Sequence, residues 1–126
     1  MREAVLVAVG GAVGSLLRFW LGGAVLRLIP VAFPWGTLLI NVTGSFAIGA
    51  FAALTDAQGR YPGSEALRLL GIVGLCGGFT TFSSFSLQTL ALLRAGDTLG
   101  ACANVAASVL LCLLATAAGM TLFTRA

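Results

Sequence analysis

The chain has 126 residues, 59% of them hydrophobic and 9% charged, with a formal net charge of +3. Soluble domains carry about 25% charged residues, so this composition cannot cover a water-facing surface and places the chain in a lipid bilayer. The mean hydropathy of +1.05 agrees, and the positive balance comes from arginines mostly at helix ends, which calls for no nucleic-acid partner.

Charge-free runs extend from Leu28 to Thr55, Leu69 to Leu93 and Thr98 to Thr124. Each exceeds the roughly 20 residues a spanning helix needs. The segment Ala4–Leu26 is equally apolar apart from Arg18. The pattern predicts an all-α integral membrane protein, one domain over 1–126 with four transmembrane helices. Helix 1 covers about 3–28 and is closed by Pro30. Its opening "MREAVLVAVGGAVGS" has the early arginine and short apolar stretch of a signal peptide. Apolar sequence resumes after Arg18, however, and no clear small-x-small cleavage site follows. We therefore read it as the first span. Helix 2 covers about 34–55, and "DAQGRYPGSE" then forms a turn-rich polar loop. Helix 3 runs over about 65–94, "RAGD" makes a tight turn, and helix 4 spans about 98–123. Cys76, Cys102 and Cys112 all fall inside spans; an odd count there argues against a disulfide framework and for small packing residues.

Arg2, Arg60, Arg68 and Arg125 lie on one face of the bundle and Arg27 and Arg94 on the other, a weak bias under the positive-inside rule. A chain so balanced is able to insert both ways up. Four short helices cannot enclose an aqueous pore, so a permeation pathway belongs at a seam between subunits. Small or polar residues at four-residue spacing suit such seams: Gly10, Gly14, Arg18 and Gly22 on helix 1, and Thr37, Asn41, Ser45 and Gly49 on helix 2. The alternative is that both stripes pack helices within one subunit.

Polar residues recur inside the spans. Asn104, Ser108, Cys112 and Thr116 share one face of helix 4, a line of roughly 18 Å at 1.5 Å per residue. Helix 3 adds Thr80 or Thr81, Ser84 and Gln88 at the same interval, and helix 2 adds Asn41. Single hydroxyls in spans often bond back to their own helix, but three aligned sets suggest a polar track. Glu3, Asp56, Glu65 and Asp97 all fall at helix ends or in loops, whereas a cation pathway or proton relay normally has an acidic side chain at depth. Arg18 is the one deeply placed charge, either snorkelling to an interface or serving an anion. Phe82 and Phe85 share a helical face beside the polar line, and aromatic ring edges carry partial positive charge. The permeant species is therefore expected to be an anion. Gly77-Gly78 before Thr80-Thr81 is poor helix-forming sequence. It either unwinds, freeing carbonyl oxygens that suit hard cations, or stays helical and packs closely.

The strings "GGFTTFSSFSLQ" (77–88), "NVTGSF" (41–46) and "GGAVGSLLRFWLG" (10–22) resemble the CrcB/Fluc family of fluoride channels, over essentially the whole chain. The resemblance implies an antiparallel, dual-topology homodimer in the cell membrane of a microbe, with two narrow fluoride pathways at the subunit interface. It implies that Phe82 and Phe85 line each pathway with their ring edges, with Asn41, Thr81, Ser84 and Ser108 as polar stations. It places Arg18 near the aqueous vestibule. It also implies a break in helix 3 near residues 77–81 whose backbone carbonyls, from Gly77 and Thr80, hold a structural Na+ between subunits. Gln88 departs from the family's usual glutamate and leaves its gating role open. Ser84 replaces a common threonine, and Cys112 a smaller or more polar residue. A paralogous subunit could supply missing groups.

These features predict a passive fluoride channel exporting the anion from the cytoplasm. A small proton-coupled multidrug-type transporter needs a membrane-embedded glutamate in helix 1, where only Arg18 is available. A non-transporting scaffold subunit is the other alternative. An enzyme is disfavoured: there is no histidine, no nucleophile–base pair, and "GGAVGS" lacks the lysine of a phosphate-binding loop.

Overall fold

A computed structural model describes residues 1–124, and Arg125 lies outside them. Four helical spans are long and apolar enough to cross a membrane: Arg2–Leu28, Trp35–Thr55, Glu65–Arg94 and Thr98–Thr124. No strand occurs among the described residues. The first two spans are α1 (Arg2–Leu28) and α2 (Trp35–Thr55). The third is composite: α3 (Glu65–Leu67), a π-helical stretch (Arg68–Cys76), α4 (Gly77–Phe79) and α5 (Phe82–Arg94). The fourth is α6 (Thr98–Thr124).

The short connections follow from turn chemistry. Ser64 Oγ accepts from Leu67 N at 3.4 Å and starts α3 as a side-chain cap. In "RAGD", Gly96 takes φ +82°, the left-handed geometry that a helix C-terminus favours. Its N–H bonds the Leu93 carbonyl at 3.0 Å, and Asp97 N–H bonds the Leu92 carbonyl at 2.9 Å. Asp97 Oδ1 then accepts from Gly100 N at 2.8 Å. One tetrapeptide closes α5 and opens α6.

Two close helix pairs form the bundle. α1 packs on the π-helical stretch and α4, and α2 packs along α6; α5 touches mainly α6. The first pair depends on glycine. A Cβ on Gly10 would strike the Leu70 carbonyl, and one on Gly14 the Leu75 carbonyl. Gly49 and Gly119 meet the Thr116 and Phe46 carbonyls in the same way. Arg18 and Asn41 also bond residues of their own chain (below). At these positions the stripes proposed above as subunit seams are packing surfaces within one subunit. Backbones brought this close gain dispersion contacts, which drive helix association where lipid removes the hydrophobic incentive.

Gly77 keeps helical dihedrals (φ −62°, ψ −39°). They lapse two residues past the glycine pair, at Thr80 (φ −76°, ψ 159°) and Thr81 (φ −152°, ψ 106°), and resume at Phe82. A two-residue non-helical corner, Thr80–Thr81, therefore separates α4 from α5 within the third span.

Gly14→Val should lower stability by about 1–3 kcal/mol, the usual penalty of overpacking, measured as thermal unfolding of detergent-solubilised protein. Gly23→Ala, where an added Cβ meets nothing within 4 Å, should not lower the unfolding temperature, since alanine is the better helix former.

Candidate functional site

The corner at Thr80–Thr81 is held from α2. Asn41 Oδ1 accepts from Thr81 N at 2.8 Å and Asn41 Nδ2 donates to Thr81 O at 3.1 Å. One side-chain amide thus serves both backbone groups of a non-helical residue. A second Nδ2 hydrogen remains uncommitted. From α1, Arg18 Nη1 donates to Thr80 O at 3.1 Å. Thr81 is 8% exposed and caps α5: its Oγ1 accepts from Ser84 N at 3.2 Å and donates to Ser84 Oγ at 3.0 Å. Thr80 Oγ1 bonds back to Cys76 O at 2.9 Å.

Beside this corner lies a groove of about 410 Å³. Asn41 and Ser45 come from α2, Thr80 and Thr81 from the corner, Phe82 and Phe85 from α5, and Ser108 and Cys112 from α6. The rings of Phe82 and Phe85 are 5.3 Å apart between centroids and tilted by 46°. Phe82 is 78% exposed, so in a single chain the groove has one unfilled side. No aspartate or glutamate lines it.

A hydrogen-bonded chain backs the groove. Ser108 Oγ donates to Asn104 Oδ1 at 3.5 Å, Asn104 Nδ2 donates to Thr89 Oγ1 at 2.9 Å, and Thr89 Oγ1 donates to Phe85 O at 2.7 Å. Asn104 is 1% exposed, the most buried large side chain among the described residues. An amide buried in this way has to be paired, and the pairing ties α6 to the turn of α5 that carries Phe85.

The sequence-derived residues therefore separate into groups. Asn41, Thr80, Thr81, Phe82, Phe85 and Ser108 meet at one groove. Ser84 stands behind it in the Thr81 cap, and Arg18 reaches it only through the Thr80 carbonyl. Gly77 is exposed on the chain surface outside the groove lining. Gln88 lies in another cavity, with its Oε1 buried and unbonded. Thr116, which continues the helix 4 line, bonds back to Cys112 O at 3.0 Å, as isolated hydroxyls in helices do. Thr89 was missed. Its signal is its place four residues after Phe85, one turn along the same face.

Fold and groove define the class: a small multi-pass membrane protein with a mostly apolar, acid-free recess into which a few hydroxyl and amide groups project. Comparison with known proteins narrows it. The family described as CrcB-like protein, Camphor Resistance (CrcB), matches residues 5–120. A protein of Methylobacterium radiotolerans named fluoride-specific ion channel FluC is 59% identical over 117 residues, covering 91% of this chain and 80% of that protein. Proteins of the same name from Methylocella silvestris and Rhodospirillum rubrum are 55% and 54% identical. They cover 86% and 87% of this chain, and 83% and 85% of their own lengths. The chain belongs to the CrcB family.

Asn41→Leu removes both bonds to Thr81 and leaves two buried backbone groups unpaired. The expected loss is about 1–3 kcal/mol, read as a lower unfolding temperature together with faster hydrogen exchange at the Thr81 amide. An unchanged exchange rate at Thr81 would show that Asn41 does not hold the corner.

Proposed function

We propose that this chain is a passive fluoride channel whose pathway runs through the groove between α2, α5 and α6. The observation that carries the reading is the character of the groove wall. It offers hydroxyl and amide donors and two phenyl rings, without a carboxylate. An anion entering it meets no formal negative charge, and the hydroxyl and amide groups can turn hydrogens toward it. Fluoride is small and tightly hydrated, so a dry path has to replace its water with closely spaced donors. The names of the relatives support the same ion.

The groove is half of a passage. Phe82 exposed at mid-span and the open side of the recess both call for a second protein surface. A second copy is the simplest source. The described arginines, Arg2, Arg60 and Arg68 at one end against Arg27 and Arg94 at the other, set so little orientation that an antiparallel homodimer is the arrangement proposed. A paralogous subunit of opposite orientation would serve the same geometry. In either assembly the lapse at Thr80–Thr81 is the functional break of the third span.

Sodium is proposed as a structural ion at that break. The donor chemistry fits in part: Thr81 N–H is drawn away to Asn41, which leaves the Gly77 carbonyl without its helical partner, and Gly77 is exposed on the chain surface. Carbonyls of unwound helices are suitable sodium donors. The Thr80 carbonyl, by contrast, already accepts from Arg18, so it has only its second lone pair to offer. A bound ion would supply positive charge to the carbonyl ends of α4.

Phe82→Ile should abolish fluoride efflux from liposomes, measured with a fluoride electrode against chloride as comparison ion. Dimer assembly in detergent should persist. Unchanged efflux would remove the rings from the pathway. Wild-type protein that releases no fluoride would end the channel reading.

A further inference from the structure

α1 and the first half of the third span run side by side in the same direction, and they meet through main-chain atoms. A Cβ on Gly10 would meet the Leu70 carbonyl oxygen and the Leu75 nitrogen, and one on Gly14 the Leu75 carbonyl oxygen and the Phe79 nitrogen. One turn further along α1, Arg18 Nη1 donates to the Thr80 carbonyl at 3.1 Å. Gly10, Gly14 and Arg18 are spaced four residues apart, the step that keeps positions on one face of an α-helix. Their partners keep a different step. From Gly10 to Gly14 α1 advances four residues, while the third span advances five, from Leu70 to Leu75.

The five-residue step falls inside the π-helical stretch Arg68–Cys76. At the end of that stretch the Gly77 N–H reaches the Ile72 carbonyl, five residues back, as well as that of Gly74. An i→i+5 turn closes over one residue more than an α turn. Held as an α-helix, the same five residues would rise about 7.5 Å, against about 6 Å for the four of α1. The excess of about 1.5 Å would come with a rotation of about 100°. Everything beyond the stretch would then turn away from α1. The Leu75 carbonyl would leave Gly14, and Thr80 and Thr81 would leave Arg18 and Asn41.

The contacts on either side of the surplus are tight. Gly10 and Gly14 are buried, and Gly74 packs in turn on the backbone of Val7 and Gly10. Gly71 lies against the ring of Phe51 on α2. Val73, between these two glycines, is 53% exposed, so the chain is able to lose it without losing a close contact. π-Helical turns are rare and concentrate at functional sites. This one ends one turn before the corner that forms part of the groove wall.

We propose that the π-helical stretch positions the corner: it takes up one surplus residue between two fixed contacts to α1, and so delivers Thr80 to Arg18 and Thr81 to Asn41. Gly10, Gly14 and the stretch act on the groove only through the corner, as positioning residues. Their bearing on conduction rests on the channel reading above; the placement of the corner does not.

Changes of chain length test this where substitutions would not. Three variants of the full chain are compared in detergent and in liposomes: one with Val73 deleted, one with an alanine inserted after Val73, and one with Val13 deleted from the regular helix α1. Deleting Val73 brings the step from Leu70 to Leu75 down to the four residues of α1. The stretch should then become α-helical, with an unfolding temperature that holds or rises. The Thr81 amide should stay protected from exchange, and fluoride efflux should persist. The insertion widens the same step, and deleting Val13 shortens that of α1. Each should speed exchange at Thr81 by about tenfold or more, the size expected for losing the bonds of a buried group, and stop efflux. A Val73-deleted chain that fails to fold, or that exposes Thr81 as the insertion does, overturns the proposal. An insertion that leaves Thr81 protected overturns it as well, since a stretch of any length would then serve. Wild-type protein that releases no fluoride ends the channel reading, and unfolding and exchange still decide the register.

Discussion

Two consecutive non-helical residues at mid-span confront a membrane protein with N–H and C=O groups that lipid cannot satisfy. Each such group left bare would cost several kcal/mol. Here the Thr81 pair is met by a single asparagine amide from α2, and the Thr80 carbonyl by a guanidinium from α1. The rest of the site follows from that settlement. With Thr81 extended, its hydroxyl is free to cap α5, whose first turn carries Phe82 and Phe85 on the groove wall. Asn41 is thereby more than a lining residue. It is the interaction through which α2 decides where the rings stand.

The roles of Arg18 change accordingly. A cation at depth in a bilayer is expensive unless it faces protein or water and has a partner. Here its partner is a backbone oxygen released by the lapse in helical geometry. The charge that made Arg18 conspicuous in the sequence is also the feature that makes it a strong donor. Its positive field reaches the recess without the side chain entering it. Positive charge beside Thr80, a residue of the groove wall, therefore comes from a group held by a structural hydrogen bond.

What the sequence made legible was whatever depends on composition or on a period of about four. Charge-free runs mark the four spans because the bilayer excludes charge. The string "GGFTTFSSFSLQ" contains the non-helical pair Thr80–Thr81, but its glycines, where unwinding was expected, stay helical in α4. The spacing of Ser108 and Asn104 places them on one face. Other features depend on partners distant in the chain, and spacing alone does not reveal them. The π-helical stretch Arg68–Cys76 has a wider period than the pattern that was sought, and its close approach to Gly10 and Gly14 is a property of two segments together. The small-residue stripes looked the same whether they faced another subunit or their own chain. Thr89 is an ordinary hydroxyl until Asn104 is brought to it from α6. Gln88, which looked like a member of the helix 3 polar line, lines a different cavity from Phe82 and Phe85, although all three stand on α5.

The strength of the existing hydrogen bonds bears on which anion such a groove would favour. Its donors are not idle: Thr81 Oγ1 points its hydrogen at Ser84, and one Asn41 hydrogen is spent on Thr81. The Ser108–Asn104 contact is long, at 3.5 Å, beyond the range of a good O–H···O bond, so that hydroxyl is easily re-aimed. A permeant ion has to win these hydrogens from acceptors already in place. Fluoride, a compact and strongly basic halide, can draw a loosely held hydroxyl toward itself. A larger halide spreads the same charge over more surface and gains too little from each contact to displace a carbonyl or amide oxygen. Discrimination then arises from competition with the internal acceptors as much as from the width of the path. It would weaken if those acceptors were removed, even with every donor left in place.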